Sequence, residues 1–435
     1  MNYKKSKYNY TIKISNSWIL YNSFTDEVSI LDPKIKILYD ENTPKEVEYK
    51  HYDFFTFLIE KGFYVPDDEN ESDKCITSWE EQDNDPSTYT ITINPTLNCN
   101  MHCWYCYEKH NSRKIMSSDI IDRVKTFISR IILEPTLKDL NLSFFGGEPL
   151  LAFQDIVKPL IVEAISITTK EKKRLHLSFT TNGILLNGNI LDYLSDLNIP
   201  ISFQITLDGN KETHDKTRYS KNVNSSYETI LKNCAKLLQC KFFDICIRCN
   251  YTMQNIDTFI DLEQDFADIG IKPSNNLHID FQHVWQDNCD KILITTKLGN
   301  VTKVFEEAGY KVSRDDITAK YRCYAEQNNH VVINYDGNLF HCTARDFMKE
   351  NSEGSINENG RLVFNEKYKK RQKVKYGNET CKRCIIYPIC QGTCSQNKME
   401  RYIPIGCIAG YSDEKKKDIL EKRINKLIKN SKKCF

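Results

Sequence analysis

The chain has no excess of charge of one sign: 60 basic residues face 59 acidic ones among 435, a formal net charge of +1 at pH 7. That balance argues against a nucleic-acid groove or an anionic membrane surface, since both call for clustered basic charge. No apolar run approaches the length of a membrane span. Met1 to Ser15 alternates polar and apolar residues where a signal peptide would need a continuous apolar core. The expectation is a cytoplasmic protein with neither nucleic acid nor membrane as a partner. Disulfides are not expected there either, because the cytosol keeps thiols reduced; the seventeen cysteines, closely spaced in places, read instead as metal ligands. The length exceeds what one small core needs and predicts two or three domains.

What the sequence does have is one stretch dense in sulfur, Cys99-Asn-Met-His-Cys103-Trp-Tyr-Cys106, just after Pro95 and Thr96. Three thiolates at this spacing can converge on one metal centre from a single loop and leave a fourth ligand position open. An open position points to chemistry; a zinc knuckle lacking one ligand is the alternative. Forty residues on comes Phe145-Gly146-Gly147-Glu148-Pro149. Two glycines let the backbone approach a ligand closely, and a neighbouring carboxylate suits the ammonium group of an amino acid. An ordinary turn would use the same residues. Strands are predicted near Tyr89 to Asn94, Leu140 to Phe145, Leu175 to Thr180, Ile201 to Thr206, Ile245 to Tyr251 and Leu277 to His283, with helical patterns between them. The helix after the first repeats Ile120, Ile121, Val124, Phe127, Ile128, Ile131 and Ile132 at helical spacing. Six βα units suit an α/β partial barrel, whose working groups sit at the C-terminal strand ends. Thr181-Asn182-Gly183 and Gln204-Ile-Thr206-Leu-Asp208-Gly209 fall there, although local turn and cap bonds also explain Asn182 and Asp208.

The C-x3-C-x2-C spacing, with an aromatic before the last Cys and Gly-Gly-Glu downstream, resembles the radical S-adenosylmethionine (radical SAM) enzymes. The resemblance implies a partial (β/α)6 barrel in which Cys99, Cys103 and Cys106 hold a [4Fe-4S] cluster whose fourth iron is chelated by SAM. Reductive cleavage of SAM would then yield a 5'-deoxyadenosyl radical, with a reduced flavodoxin or ferredoxin as electron donor. It also implies that Tyr105 lies against the adenine, that Gly146, Gly147 and Glu148 hold the methionyl amine, and that Asn182, Thr206 and Asp208 lie near SAM. His214-Asp215-x-x-Arg218 resembles a family motif whose Arg meets the SAM carboxylate, a fit for a guanidinium with two parallel donors; a surface ion pair is the plainer alternative for Arg218. Val284 would pack on adenine or simply in the core. Cys234, Cys240, Cys246, Cys249 and Cys289 match no ligand spacing and read as buried thiols.

Residues 89 to 310 form this expected barrel. Residues 1 to 88 read as a separate module, with short strands over Tyr10 to Ile14, Trp18 to Tyr21 and Val28 to Leu31, a helical pattern from about Tyr49 to Lys61, and an acidic linker running from Pro66 in effect to Pro86. It resembles the small winged-helix leader-recognition domain at the front of peptide-modifying radical SAM enzymes; a packing extension of the barrel is the alternative. In residues 311 to 435, Cys323, Gly337 and Cys342 are followed by Cys381, Cys384, Cys390, Cys394 and Cys407. This spacing resembles the seven-cysteine SPASM domain, which carries two auxiliary [4Fe-4S] clusters; a zinc ribbon is the alternative for the CxxC-like pairs. By the resemblance Cys323, Cys342 and Cys394 hold the first, with its fourth ligand unassigned, and Cys381, Cys384, Cys390 and Cys407 hold the second. Ser412 to Lys433 reads as a basic helix with an apolar docking face, and Cys434 as unliganded.

The functional expectation is a maturase that oxidatively modifies, by crosslinking, a ribosomally made precursor peptide bearing a leader. Two alternatives stand beside it: a sulfatase-maturing type making formylglycine, and a non-catalytic metal-binding scaffold. Sulfatase maturases generally place an Asp directly after the second SPASM Cys, whereas here Cys342 is followed by Thr343, with Asp346 further on.

Overall fold

Six parallel strands form where the alternating pattern placed them, at Thr88–Ile93, Asp139–Phe144, Arg174–Thr181, Ile201–Thr206, Phe243–Tyr251 and Leu277–His283. Each pairs in parallel with the strand before it. Such sequential order, with right-handed crossovers, sends the connecting helices to one face. Side chains on that face are apolar and buried, among them Leu177, Phe179, Phe203, Ile205, Ile247 and Phe281. The alternate positions are polar: Ser178, Thr180, Ser202, Gln204, Cys246 and His278 line a cavity of about 350 Å³. The computed structural model describes all residues except 15, 109, 111–113, 315–319 and 432–435, so Cys434 lies outside the described residues.

The helix after the first strand, Ser118–Ile132, buries Ile120, Val124, Phe127, Ile128, Ile131 and Ile132 against this sheet. At roughly 1.5–3 kcal/mol per buried apolar side chain, that face alone contributes on the order of 10 kcal/mol before entropy is counted. The sheet is larger than six strands and is mixed. Lys311–Arg314 adds in parallel to the sixth strand, while His330–Ile333 adds in parallel to the first and continues through three antiparallel strands, to eleven in all. Asp336-Gly337 makes the hairpin turn between His330–Ile333 and Asn338–Phe340, with Gly337 at φ +78°.

The expected segments 1–88, 89–310 and 311–435 regroup in three dimensions. Residues 85–315 and 329–368 make one compact unit; 1–84, 316–328 and 369–435 make the other. Residues 329–368 join the barrel sheet because His330–Ile333 satisfies the edge of the first strand, which would otherwise present unpaired backbone groups.

In the other unit, Asn9–Ile14, Ser17–Asn22 and Val28–Leu31 form an antiparallel sheet followed by the helices Pro33–Glu41, Pro44–Lys50 and Tyr52–Glu60. The acidic linker is a correction: Glu71–Asp83 is a helix that buries Cys75 and Trp79. Its acidic residues Glu71 and Asp73 lie in the first turn, where they favour the helix dipole. Asp83 at its end is fully buried, paired with Arg322 and, at 3.0 Å, with Lys375. The C-terminal helix Asp413–Ser431 docks as its stripe predicts: Ile419, Leu420 and Ile424 pack with Ile19, Tyr21, Ile386 and Ile389.

Candidate active site

The loop carrying Cys99, Cys103 and Cys106 leaves the first strand and is pinned at both ends. Leu97 N–H donates to Lys114 O and Met116 N–H to Pro95 O, both at 2.9 Å, and the Thr96 hydroxyl donates to Lys114 O at 2.8 Å. Within it, His102–Cys103 pairs antiparallel with Arg218–Tyr219, which sets Arg218 opposite Cys103. Burial pushes the Cys99 thiol up to about 12 and the Cys106 thiol up to about 11, and raises Cys103. A cationic centre is what would convert such thiols to ligating thiolates. Among the described residues, the group of Cys, His, Asp or Glu donors that comes within 4.8 Å, near enough for a single ion, lies elsewhere, at His283, Asp287 and Cys289.

Gly146 and Gly147 are required by this loop. A Cβ on Gly147 would lie 2.2 Å from the Asn98 carbonyl oxygen, and one on Gly146, at φ +99°, would lie 2.6 Å from that of Thr96. The turn is stitched to the loop by Gly147 N–H donating to Thr96 O (3.1 Å) and Glu148 N–H to Asn98 O (2.8 Å). Glu148 is 0% exposed. Its Oε1 accepts from the Thr181 hydroxyl (2.8 Å) and Leu150 N–H (3.0 Å), and its Oε2 from Asn182 N–H (2.7 Å). Burial raises its pKa while these donors oppose the rise. The carboxylate therefore ties the ends of the second and third strands together. Asn182 Nδ2 donates to Asn100 Oδ1 at 2.7 Å and reaches toward Cys99 Sγ at 3.8 Å, which takes Asn182 beyond a local cap.

A second knot joins Tyr105, Asp208 and Arg218. The Tyr105 hydroxyl donates to Asp208 Oδ2 and accepts from Arg218 Nη1 (2.8 Å) and Asn250 Nδ2 (3.1 Å). Arg218 is 7% exposed, which rules out the surface ion pair. Burial raises the Asp208 carboxyl, with Arg218 and Tyr105 pulling against it. His214 Nδ1 accepts from Asp208 N–H (3.1 Å), so a neutral ring carries its proton on Nε2; burial and the Arg218 charge hold its pKa far down. Asp215 instead accepts from Tyr227 N–H at 2.9 Å in the first turn of the helix Ser226–Leu237, which Ser225 caps. Thr206 ends the fourth strand, half of a row with Asp208, and Val284 is buried just after the sixth.

Besides His214 Nε2, two buried donors here, Arg218 Nε and Asn100 Nδ2, have no partner among the described residues. Unsatisfied buried donors cost about 1–3 kcal/mol each, and an anionic ligand such as an amino-acid carboxylate would satisfy them. The residues present therefore fit SAM and a three-cysteine cluster. Sequence reading missed Asn250, whose N–H also donates to Asp208 Oδ1 at 3.2 Å; its place at the end of the fifth strand was the available signal. It also missed Gln286, which donates to Tyr105 O at 2.8 Å, and His110, whose Nδ1–H donates to Leu97 O (3.1 Å) and whose Nε2 accepts from the Cys106 thiol (3.3 Å). Neither carries a local sequence signal.

Of the C-terminal cysteines, Cys381, Cys384, Cys390 and Cys407 together line a cavity of about 310 Å³. Gly377 and Gly392 stand against Cys381, where a Cβ would come within 3.2 and 3.4 Å of its sulfur. Burial pushes the Cys390 thiol up to about 11. Four thiols lining one cavity fit a [4Fe-4S] site with all four ligands from the chain. Cys323 and Cys394 belong to the same unit, whereas Cys342 belongs to the barrel unit, where Ala344 N–H approaches its sulfur at 3.4 Å. Cys234 and Cys249 are buried thiols, as expected, whereas Cys240, Cys246 and Cys289 are only half-buried.

Comparison with known proteins agrees with this geometry. Residues 93–272 match the family described as the Radical SAM superfamily. The chain is 24% identical, over 99% of its length and 96% of the other protein, to a radical SAM cyclopropyl synthase, TigE, of Paramaledivibacter caminithermalis. It is 26% identical over 78% of its length, and 96% of the other, to a cysteine-type anaerobic sulfatase-maturating enzyme of Clostridium novyi. Its fold is similar to that of anSMEcpe with bound AdoMet (TM-score 0.61, 18% identity, 80% of this chain and 100% of that one). It is also similar to Streptococcus suis SuiB bound to precursor peptide SuiA (TM-score 0.54, 16% identity, 92% and 98%).

Proposed function

On the premise that the chain is a radical SAM enzyme of the SPASM maturase group, we propose that it oxidatively crosslinks a ribosomally made precursor peptide. The observation that carries this reading is the N-terminal module of three antiparallel strands and three short helices. It lies in a chain that aligns with the cyclopropyl synthase over 99% of its length but with the sulfatase-maturating relative over 78%. Val28–Leu31 is an edge strand of that sheet, and an edge can take up a leader peptide by main-chain pairing. SuiB, of similar fold, has been solved with its precursor peptide.

In this reading Cys99, Cys103 and Cys106 hold the SAM-binding cluster, and Cys381, Cys384, Cys390 and Cys407 hold an auxiliary one. A first auxiliary cluster on Cys323, Cys342 and Cys394 rests on spacing alone. When bound, SAM and its cluster, reduced by a flavodoxin or ferredoxin, would supply a radical that takes a hydrogen atom from the peptide, and an auxiliary cluster would take up the second electron. The chain's part is placement. Arg218 offers its guanidinium to the SAM carboxylate, with Tyr105 and Asp208 fixing its orientation. Glu148 offers the SAM amine the lone pair that its three chain donors leave on Oε2, and Asn182 aligns Cys99. Thr206 and Val284 border the nucleoside.

Formylglycine formation is the second reading. It needs a base after Cys342, where Thr343 stands; Asp346 already accepts from Asn351 Nδ2 (2.6 Å) and Met348 N–H (3.3 Å), which ties it into a turn. Anaerobic co-expression with a short peptide encoded beside the gene tests the proposal by mass. Loss of two hydrogens per modified site, absent with Cys99→Ala, is the expected result. An unchanged peptide, with enzyme that holds its clusters and cleaves SAM, would remove the peptide as substrate.

A further inference from the structure

We propose that His283, Asp287 and Cys289 form a mononuclear zinc site, separate from the cysteine sets assigned to iron. The three lie on the end of the sixth strand and the loop that follows it, and their donor atoms all fall within 4.8 Å of one another. His283 Nε2 is 3.1 Å from Asp287 Oδ2 and 3.7 Å from Cys289 Sγ. A tetrahedral zinc with bonds of about 2.0 Å to nitrogen and oxygen and about 2.3 Å to sulfur sets N···O about 3.3 Å and N···S about 3.5 Å apart, so each of these two separations needs to change by only about 0.2 Å to admit one ion.

The arrangement is not that of a nucleophile, base and orienting acid. Both the thiol and the carboxylate face the same ring nitrogen, whereas a catalytic relay would use the two nitrogens separately. One sulfur, one imidazole and one carboxylate is a borderline donor set that suits zinc, with water in the fourth position. All three side chains are half-buried, open enough for an ion to enter.

Asp287 Oδ2 also accepts from Met253 N–H at 2.8 Å, which holds the carboxylate in place from a second element. An ion here would fasten the loop Val284–Cys289 to the strand end. That loop reaches the cluster loop twice: Gln286 donates to Tyr105 O at 2.8 Å, and the Trp285 ring stacks on Tyr107 with centroids 6.1 Å apart. The zinc is thus a positioning device, holding a flap over the three-cysteine loop without touching the reacting atoms.

The test is metal analysis of the cluster-loaded enzyme, prepared anaerobically with zinc in the medium, as wild type, Cys289→Ser and His283→Gln. About one zinc per chain is expected in the wild type and less than about a fifth of that in either variant, with iron and sulfide unchanged. Zinc-edge X-ray absorption should report one sulfur among nitrogen and oxygen neighbours. Three results overturn the proposal: no zinc in the wild type, in which case the trio is a hydrogen-bonded cluster; equal zinc in Cys289→Ser, or an all-sulfur signature, in which case the ion sits in a cysteine set; and a loss of iron in Cys289→Ser, in which case Cys289 serves an iron-sulfur cluster.

Discussion

Gly147→Ala is the substitution for which the structure makes the sharpest demand. The added methyl would lie 2.2 Å from the Asn98 carbonyl oxygen and 2.7 Å from the carbonyl carbons of Leu97 and Asn98. Ordinary contact distances are about 3.5 Å, so the turn and the loop must separate by about 1 Å. Separation breaks the bonds from Gly147 N–H to Thr96 O and from Glu148 N–H to Asn98 O. Two backbone bonds at about 1 kcal/mol each, with about 1–3 kcal/mol of overpacking strain, predict a destabilisation of about 3–5 kcal/mol. Asn98 immediately precedes Cys99, so the shift also moves a cluster ligand. A misplacement of about 1 Å can cost about a hundredfold in rate, and a loss of that size is expected in 5'-deoxyadenosine formation followed by chromatography. Gly299→Ala is the control: its Cβ meets nothing within 4 Å inside the helix Lys291–Glu307, and a gain of about 0.5–1 kcal/mol is expected. SAM cleavage by Gly147→Ala within about threefold of wild type, at full iron content, would refute the argument that backbone approach rather than ligand contact dictates this glycine.

Arg218→Lys keeps the charge but loses the planar fork that reaches Tyr105, and it should weaken SAM binding at least about tenfold by equilibrium titration; unchanged affinity would detach Arg218 from the SAM carboxylate. On the proposed reading of three clusters, Cys384→Ala should lower iron by about one third, with the spectroscopic signature of the SAM-binding cluster retained. Asp26 gives a pH prediction. Burial alone would raise its carboxyl, but hydrogen bonds from Arg423 and Lys320 outweigh burial and hold it below the ordinary value. Its contribution is therefore present above the unfolded pKa of about 3.9 and is lost as pH falls through the lower folded value. Asp26→Asn should cost about 2 kcal/mol in denaturant titrations, less than for a fully buried pair because Asp26 is 22% exposed, and the gap should stay constant from about pH 5 to 8. A gap that varies across that window would assign the pH dependence to another group.

The sequence by itself determined the six parallel strands, the helix Ser118–Ile132, the antiparallel strands of the N-terminal module, and the loop and strand ends where the site residues lie. Those features are local: alternation of period two, helical spacing and close cysteine spacing are each written within a few residues. The tertiary structure decided what depends on pairing across long separations. Glu71–Asp83 reads as an acidic linker because its apolar positions are few, yet Trp79 packs on Tyr387 and Asp83 pairs with Arg322 and Lys375, partners that lie far along the chain. The eleven-stranded sheet exists because His330–Ile333 finds the free edge of the first strand. Asn250 and Gln286 reach Tyr105 only when strand ends meet the cluster loop, and His283, Asp287 and Cys289 show no ligand spacing until a loop folds the three donors together. Hydrogen bonds and ligation act over about 3 Å, so which groups they join is decided by where the backbone brings the elements, not by their order in the chain.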